Sequence, residues 1–295
     1  MTRAKANLLL LFAAAAWGGA FYFQKMAMDH IGPILMTGFR ALLAAACLMP
    51  LVWLESRRGG RPWTPALTRY APLAGILFAC AGMIHQAGMA TATVTNGGFL
   101  TSLYMIVTPL LTLLILRRTP PIHVWPALAL ALAGTWFLTG ASPAGFSEGD
   151  ILIIVSTLFW GGMMMVTALA AGEGRPLAFT AIELATAAAV ALPVALMVEP
   201  FEPAAIRAAI PDILYLGCVA GAFTFSLFAV ASRYTTSGEA VILLATETLF
   251  AAASGAILLG ERLSPAGWLG AALMLAATLL VQLGPSLGRR RPATG

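Results

Sequence analysis

The chain is predicted to be an all-α membrane protein of ten transmembrane helices, built as two inverted five-helix repeats with both termini in the cytoplasm. Three observations predict this. The 295 residues are 60% hydrophobic and only 10% charged, with a mean hydropathy of +0.88. A soluble domain carries roughly a quarter charged residues, so this chain cannot cover a water-facing surface and lipid is its main solvent. Apolar runs of about 20 residues, the length that crosses a bilayer core, recur from end to end with short connections. The sequence also repeats itself. Ala16-Trp17-Gly18-Gly19 returns as Phe159-Trp160-Gly161-Gly162, with Trp17 and Trp160 separated by 143 residues, and the same offset lays Thr37 on Thr180, Pro50 on Pro193 and Trp125 on Trp268. Matches of Trp and Pro are rare coincidences in an alanine-rich chain, so the chain reads as two copies of one unit, 1–145 and 146–295.

Ten spans follow in order: 6–28, 34–54, 70–91, 94–116 and 121–140 in the first copy, then 149–171, 177–198, 212–232, 238–259 and 264–284 in the second. Alanine, leucine and glycine dominate them, as expected where helices pack closely without a hydrophobic force between them. None shows the ten-residue alternation of a barrel strand. The first run lacks a small-residue cleavage site followed by a soluble domain and reads as a retained span. Cys47, Cys80 and Cys218 sit in apolar runs without metal-ligand spacing and read as small buried hydrophobes.

Lys and Arg set the orientation. With the N-terminus inside, Arg3, Lys5, Arg57, Arg58, Arg61, Arg69, Arg117, Arg118, Arg175, Arg233 and Arg289–Arg291 are cytoplasmic. Only Lys25, Arg207 and Arg262 lie outside, with Arg40 within a span. This placement, with no interleaved aromatics for stacking on bases, assigns the net charge of +5 to membrane topology, not to nucleic acid. Five spans per copy is an odd number, so the second copy enters from the opposite face. Inverted repeats of this kind hold a substrate site near the midplane between the copies, with alternating access.

Ionisable groups inside spans are costly and mark functional positions. They are Arg40, Glu183, Glu247 and His85. Arg40 and Glu183 are repeat mates, 143 residues apart, each about two turns from its span's end; reach to the interface or a structural ion pair is expected ahead of substrate contact. Glu247 lies near mid-depth in Thr246-Glu247-Thr248 and is expected to line a cavity. His85-Gln86 interrupts the third span with two adjacent polar groups. In the fourth, Gly97, Thr101, Tyr104 and Thr108 fall on one helical face, with Gly97-Gly98 and Pro109 expected to loosen and kink the helix. Trp17 and Trp160 lie deeper than the interfacial aromatic belt and suit the walls of a shared cavity. Gly18 and Gly161 beside them allow bending or close approach, and Met163-Met164-Met165 adds pliable apolar wall. The candidate substrate-binding set is therefore Trp17, His85, Gln86, Thr101, Tyr104, Trp160 and Glu247, and the hinge set Gly18, Gly97, Gly98, Pro109 and Gly161. His30, His85 and His123 are too widely separated for a metal site, and no metal or cofactor is expected.

Ten spans, an inward N-terminus, two copies each opening with Trp-Gly, and Leu258-Leu259-Gly260-Glu261-Arg262-Leu263 followed by Trp268-Leu269-Gly270 resemble the drug/metabolite transporter superfamily and its EamA-type ten-helix exporters. The resemblance covers nearly the whole chain and is most specific at Leu-Gly-Glu-Arg-Leu; the branch most similar is the YddG-like bacterial inner-membrane exporters of amino acids, aromatic ones included. The first copy departs from the pattern: Arg117-Arg118-Thr119-Pro120-Pro121 replaces the Gly-Glu pair. In the second, Thr248 stands where the family has proline, while Pro109 keeps that proline in the first. Those departures count against a symmetric hinge. The resemblance implies a cavity built from the first, third, fourth, sixth, eighth and ninth spans.

The expectation is a secondary transporter that exports small organic solutes, amino acids first, with membrane lipid as its surround and a monomer as the favoured state. Proton coupling and simple substrate exchange both stay open. An organophosphate or nucleotide-sugar exchanger would want clustered mid-depth cations, and only Arg40 is available; a drug exchanger of the same superfamily is a further alternative. An intramembrane serine protease would need Ser and His at matching depth, whereas Ser237-Gly238 and His85 lie towards opposite faces. A channel or membrane scaffold is the alternative from another class.

Overall fold

Helices account for the regular structure of the described residues in this computed structural model, which are 1–57, 64–119, 122–138, 146–170, 175–231, 234, 243–244 and 246–287. Among the sequence assignments, Arg58, Arg61, Arg233, Arg289–Arg291, Pro120-Pro121, Ser237-Gly238 and the repeat boundary at 145 lie outside the described residues. The first copy comprises α1 (Arg3–Ala27), α2 (Pro33–Arg57), α3 (Pro65–Met89), α4 (Val94–Thr101), α5 (Tyr104–Leu116) and α6 (Val124–Leu138). The second comprises α7 (Glu148–Ala170), α8 (Pro176–Val198), short α9 (Pro203–Ala208) and α10 (Ile210–Leu214), a π-helical stretch (Tyr215–Phe223), α11 (Thr224–Ala231), α12 (Glu247–Leu259) and α13 (Pro265–Leu287). Among the described residues seven helices are long and apolar enough to cross a membrane, and Val124–Leu138, Glu247–Leu259 and Pro265–Leu280 are shorter apolar helices where further spans are expected.

Local sequence sets the helix ends. Thr2, Thr64 and Thr93 cap α1, α3 and α4 by accepting from the N–H three residues on, and Pro65 and Pro176 open α3 and α8, where a missing N–H costs nothing. At the other end, α12 closes on Gly260 in the left-handed region (φ 67°), its N–H returning to Gly255 O. Its repeat mate Arg117 closes α5 in the same way (φ 54°), with its N–H on Thr112 O. The backbone keeps the repeat where the side chain departs from it.

The two copies interlock. α2 and α8 run antiparallel, and each caps the other. Glu199, just past α8, accepts from the Ile34 and Leu35 N–H groups at 2.9 and 2.7 Å. Glu55, near the end of α2, accepts from Leu177 and Ala178 at 3.3 and 3.1 Å; residues 34 and 177, and 35 and 178, are repeat mates. Arg175 adds an ion pair to Glu55 at 3.9 Å and a bond to Ser56. Its mate is Gly32, where a Cβ would strike the Glu199 carboxylate. α1 packs on α12, and α7 on α5. α6 and α13 pack on each other outside the cavity, their main chains in contact where Gly134 meets Gly270. Glu261 closes one further contact, its carboxylate accepting from the Val94 and Thr95 N–H groups and the Thr95 hydroxyl at 2.7, 3.0 and 2.7 Å. The Leu-Gly-Glu-Arg-Leu segment thereby has a structural role, since it fastens the end of α12 to the start of α4.

Large apolar side chains such as Leu8, Phe12, Trp53, Leu114, Ile115 and Ile257 point outward, as lipid-facing positions should. Cys47 corrects an expectation. It is exposed on the bundle surface, not buried, with its Sγ 3.6 Å from Cys218 Sγ.

Candidate functional site

A cavity of about 200 Å³ lies between the repeats. Its walls come from α1 (Trp17, Phe21, Gln24), α2 (Arg40), α3 (Phe78, His85), the α4–α5 break (Thr101, Tyr104), α7 (Trp160, Met163, Met164), α8 (Glu183), the π-helical stretch and α11 (Leu216, Ala220, Phe225), and α12 (Glu247). Six of the seven expected substrate residues are therefore brought together. Gln86 is not among the lining residues: its Nε2 donates to Gln24 O at 2.6 Å, which ties α3 to α1. The second and seventh spans, α2 and α8, contribute walls beyond those that the resemblance implies, and with them come Arg40 and Glu183.

The two indoles occupy related positions with unequal surroundings. Trp17 Nε1 donates to Ala220 O at 2.8 Å and its ring meets Phe225 edge-on at 5.4 Å. Ala220 lies in the π-helical stretch, where Thr224 Oγ1 bonds Val219 O five residues back at 2.7 Å. The mates of that stretch in the first copy belong to the regular helix α3, so the π turn is a feature of one copy, and it borders the cavity, as such turns often border functional sites. Trp160 packs edge-on against Phe78 at 5.0 Å and His85 at 6.4 Å, while its buried Nε1 has no partner among the described residues.

His85 is 2% exposed, and its Nε2 lies 2.8 Å from Thr101 Oγ1. The Thr101 hydroxyl donates its one hydrogen to Gly97 O at 2.6 Å, so Nε2 must be the donor to Thr101. In the neutral ring Nδ1 is then a buried acceptor without a partner among the described residues. Thr108 donates to Tyr104 O and Thr112 to Thr108 O; that part of the polar stripe satisfies its own helix.

The hinge candidates divide by what surrounds them. A Cβ on Gly18 would stand 2.6 Å from Glu247 O and 2.8 Å from Ala251 N, and one on Gly97 would stand 2.6 Å from Met89 Sδ. Gly98 likewise faces Ala251. These glycines admit neighbouring helices at close range. Gly161, the mate of Gly18, is roomier: its nearest neighbours are Val107 Cγ1 at 3.0 Å and Thr108 N at 3.2 Å. Pro109 sits inside α5 and cannot donate to Met105 O, while the helix interruption lies nearly two turns earlier, at Ser102–Leu103, where Met105 and Ile106 bond the residues three back at 3.0 and 2.9 Å. The mate of Leu103, Thr246, marks the corresponding break before α12 and bonds Leu243 O three back at 3.2 Å, although α12 holds no proline.

Sequence reasoning passed over Gln24 as a wall residue, although its spacing of seven from Trp17 puts both on one face of α1. Arg40 Nη1 donates to Gln24 Oε1 at 3.3 Å. The site offers one guanidinium, two carboxyl groups, a histidine acceptor and an indole donor within an aromatic and methionine wall. That arrangement suits holding a small polar solute.

Relatives agree with this architecture. The sequence profile of the EamA-like transporter family matches residues 4–140 and again residues 147–283. The chain is 26% identical over 286 residues to "Uncharacterized transporter YwfM" of Bacillus subtilis, covering 95% of this chain and 94% of that one. It is also 26% identical over 303 residues to "Uncharacterized inner membrane transporter YedA" of Escherichia coli K12, covering 97% and 95%. A solved crystal structure aligns at a TM-score of 0.63 and 18% identity over 98% of this chain and 100% of that one, which shows the fold. With the duplicated profile, the apolar helices and a cavity enclosed by both copies, the chain belongs to the EamA-like transporter family and is a multi-pass membrane transporter.

Proposed function

We propose that this transporter exports amino acids, aromatic and other neutral ones included, by alternating access through the cavity between its repeats. The observation that carries the reading is the composition of that cavity: polar groups with unmet hydrogen-bonding capacity set in a wall of Trp17, Phe21, Phe78, Trp160, Met163 and Met164. Thr101, Tyr104, His85 and Glu247 hold the polar end of the solute, and the aromatic and methionine surface accepts varied side chains. The hinge set is read as packing glycines plus the helix break at Ser102–Leu103, which lets the two ends of that span move separately. The bundle crosses the membrane ten times with both termini in the cytoplasm, in keeping with the excess of basic residues in that set of connections. The YddG-like exporters are the branch in which this reading places it. A cavity of about 200 Å³ falls below the range of about 300–1,000 Å³ for drug-sized ligands. Two glutamates beside one arginine also disfavour an organophosphate or nucleotide sugar.

The test is counterflow in proteoliposomes holding purified protein, with a panel of labelled amino acids and an imposed pH gradient in half the samples. Saturable exchange of amino acids is expected; failure of every amino acid to compete would sink the reading. Tags at the two termini should both report from the cytoplasmic side.

A further inference from the structure

Arg40 is a permanent cation that has no counter-charge among the described residues. Its guanidinium touches Gln24 Oε1 at 3.3 Å and lies 5.7 Å from the centre of the Phe78 ring, and its buried Nε has no acceptor among the described residues. Among the described residues no carboxylate forms an ion pair with it. Glu183, its repeat mate, is 6% exposed, and among the described residues its carboxyl group has neither a hydrogen bond nor an ion pair. Both line the same cavity. They enter it at different depths. A Cβ on Gly82 would stand 3.2 Å from Arg40 Nη2, while Gly75 lies against the Glu183 main chain and Thr186. Seven residues of α3 separate those glycines, about 10 Å along the helix axis, and Phe78 lies between them. The Arg40 guanidinium and the Glu183 main chain are thus set at different levels of a wall that carries one cation and two carboxyl groups, Glu183 and Glu247.

An unpaired charge held out of water costs several kcal/mol, and a group of that cost in a transporter wall calls for a ligand that neutralises it. The guanidinium fork matches the two oxygens of a carboxylate. A phosphate dianion would meet Glu183 and Glu247 in the same space, whereas an attached ammonium group would be attracted by them. We propose that Arg40 reads the carboxylate of the solute and Glu183 faces its ammonium group, so that the protein accepts α-amino acids and rejects the amines and carboxylic acids that carry the same side chain. This rests on the amino-acid reading above and adds to it the residues that enforce the zwitterion.

The experiment is competition for counterflow of a labelled amino acid by three compounds sharing one side chain: the amino acid, its decarboxylated amine and its deaminated acid. In the unsubstituted protein only the amino acid should compete. Arg40→Gln should raise KM for the amino acid at least tenfold and bring the amine to parity with it. Arg40→Lys, which keeps the charge and loses the fork, should fall between. Glu183→Gln should bring the deaminated acid to parity instead. Equal competition by the amine in the unsubstituted protein would overturn the role of Arg40 and leave amino-acid export standing; equal competition by the deaminated acid would overturn the role of Glu183. No transport of any amino acid would overturn both this inference and the reading beneath it. If Arg40→Gln does not elute as a single folded species, the unsubstituted protein and Arg40→Lys decide the matter.

Discussion

Replacing Glu199 with alanine removes both acceptors from the first turn of α2, and Glu55→Ala does the same to α8. Each carboxylate holds two main-chain N–H groups. Hydrogen bonds to a charged partner contribute about 1.5–3 kcal/mol each, but both carboxylates are only partly buried, so water can reach them, and loss of an N-cap costs about 0.5–2 kcal/mol. About 2 kcal/mol is therefore expected for Glu199→Ala. Glu55→Ala should cost nearer 3 kcal/mol, because it also removes the ion pair to Arg175, whose side chain is only 5% exposed. α2 has 25 residues and is about 37 Å long, so the two caps sit at opposite ends of the bundle. Beyond about 10 Å, effects add to within about 0.5 kcal/mol, and the double variant should lose about 5 kcal/mol. Glu199→Gln, with one acceptor left, should lose about 1 kcal/mol. The measurement is unfolding in mixed micelles with increasing SDS, followed by tryptophan fluorescence. A loss below about 0.5 kcal/mol for either single variant, or a coupling above about 1 kcal/mol in the double, would refute the reciprocal cap.

Gly18→Ala should destabilise by about 1–3 kcal/mol through overpacking and lower yield, while Gly161→Ala, with neighbours at 3.0 Å and beyond, should be milder; thermal melting in detergent ranks them. Trp17→Phe loses the bond to Ala220 O and should cost about 1 kcal/mol in the same melt. Trp160→Phe removes an unpartnered donor, so it should leave the melting point within about a degree and show its effect in KM for transport. Arg117→Gly should stabilise by about 0.5–1 kcal/mol, since a side chain in the left-handed region costs about 1–2 kcal/mol and glycine returns part of that as chain entropy; an unchanged or lower melting point would contradict the strained cap.

Much of the architecture was legible in one dimension, because its causes are local or repeated. Lipid as solvent follows from the shortage of charge, and helix ends follow from Thr64-Pro65, Thr93 and Gly260. Duplication follows from Trp17 and Trp160. The cavity was legible in part: Trp17, His85, Thr101, Tyr104, Trp160 and Glu247 are polar or aromatic groups at depths where membrane helices rarely hold them without cause. What the linear chain could not determine was which way a side chain faces once the helices pack. Gln86 adjoins His85 in sequence, yet one residue turns a helix by about 100° and sends it into the α1 backbone. Arg40 and Glu183 count as near-interface residues by distance from a helix end; only the antiparallel seating of α2 on α8 brings both into the cavity wall. Pro109 was visible as a breaker, but α5 runs on through it and the interruption falls earlier, at Ser102–Leu103. Composition and periodicity determine the solvent and the elements. The burial of particular charges depends on contacts more than 100 residues apart, and those exist only in the packed bundle.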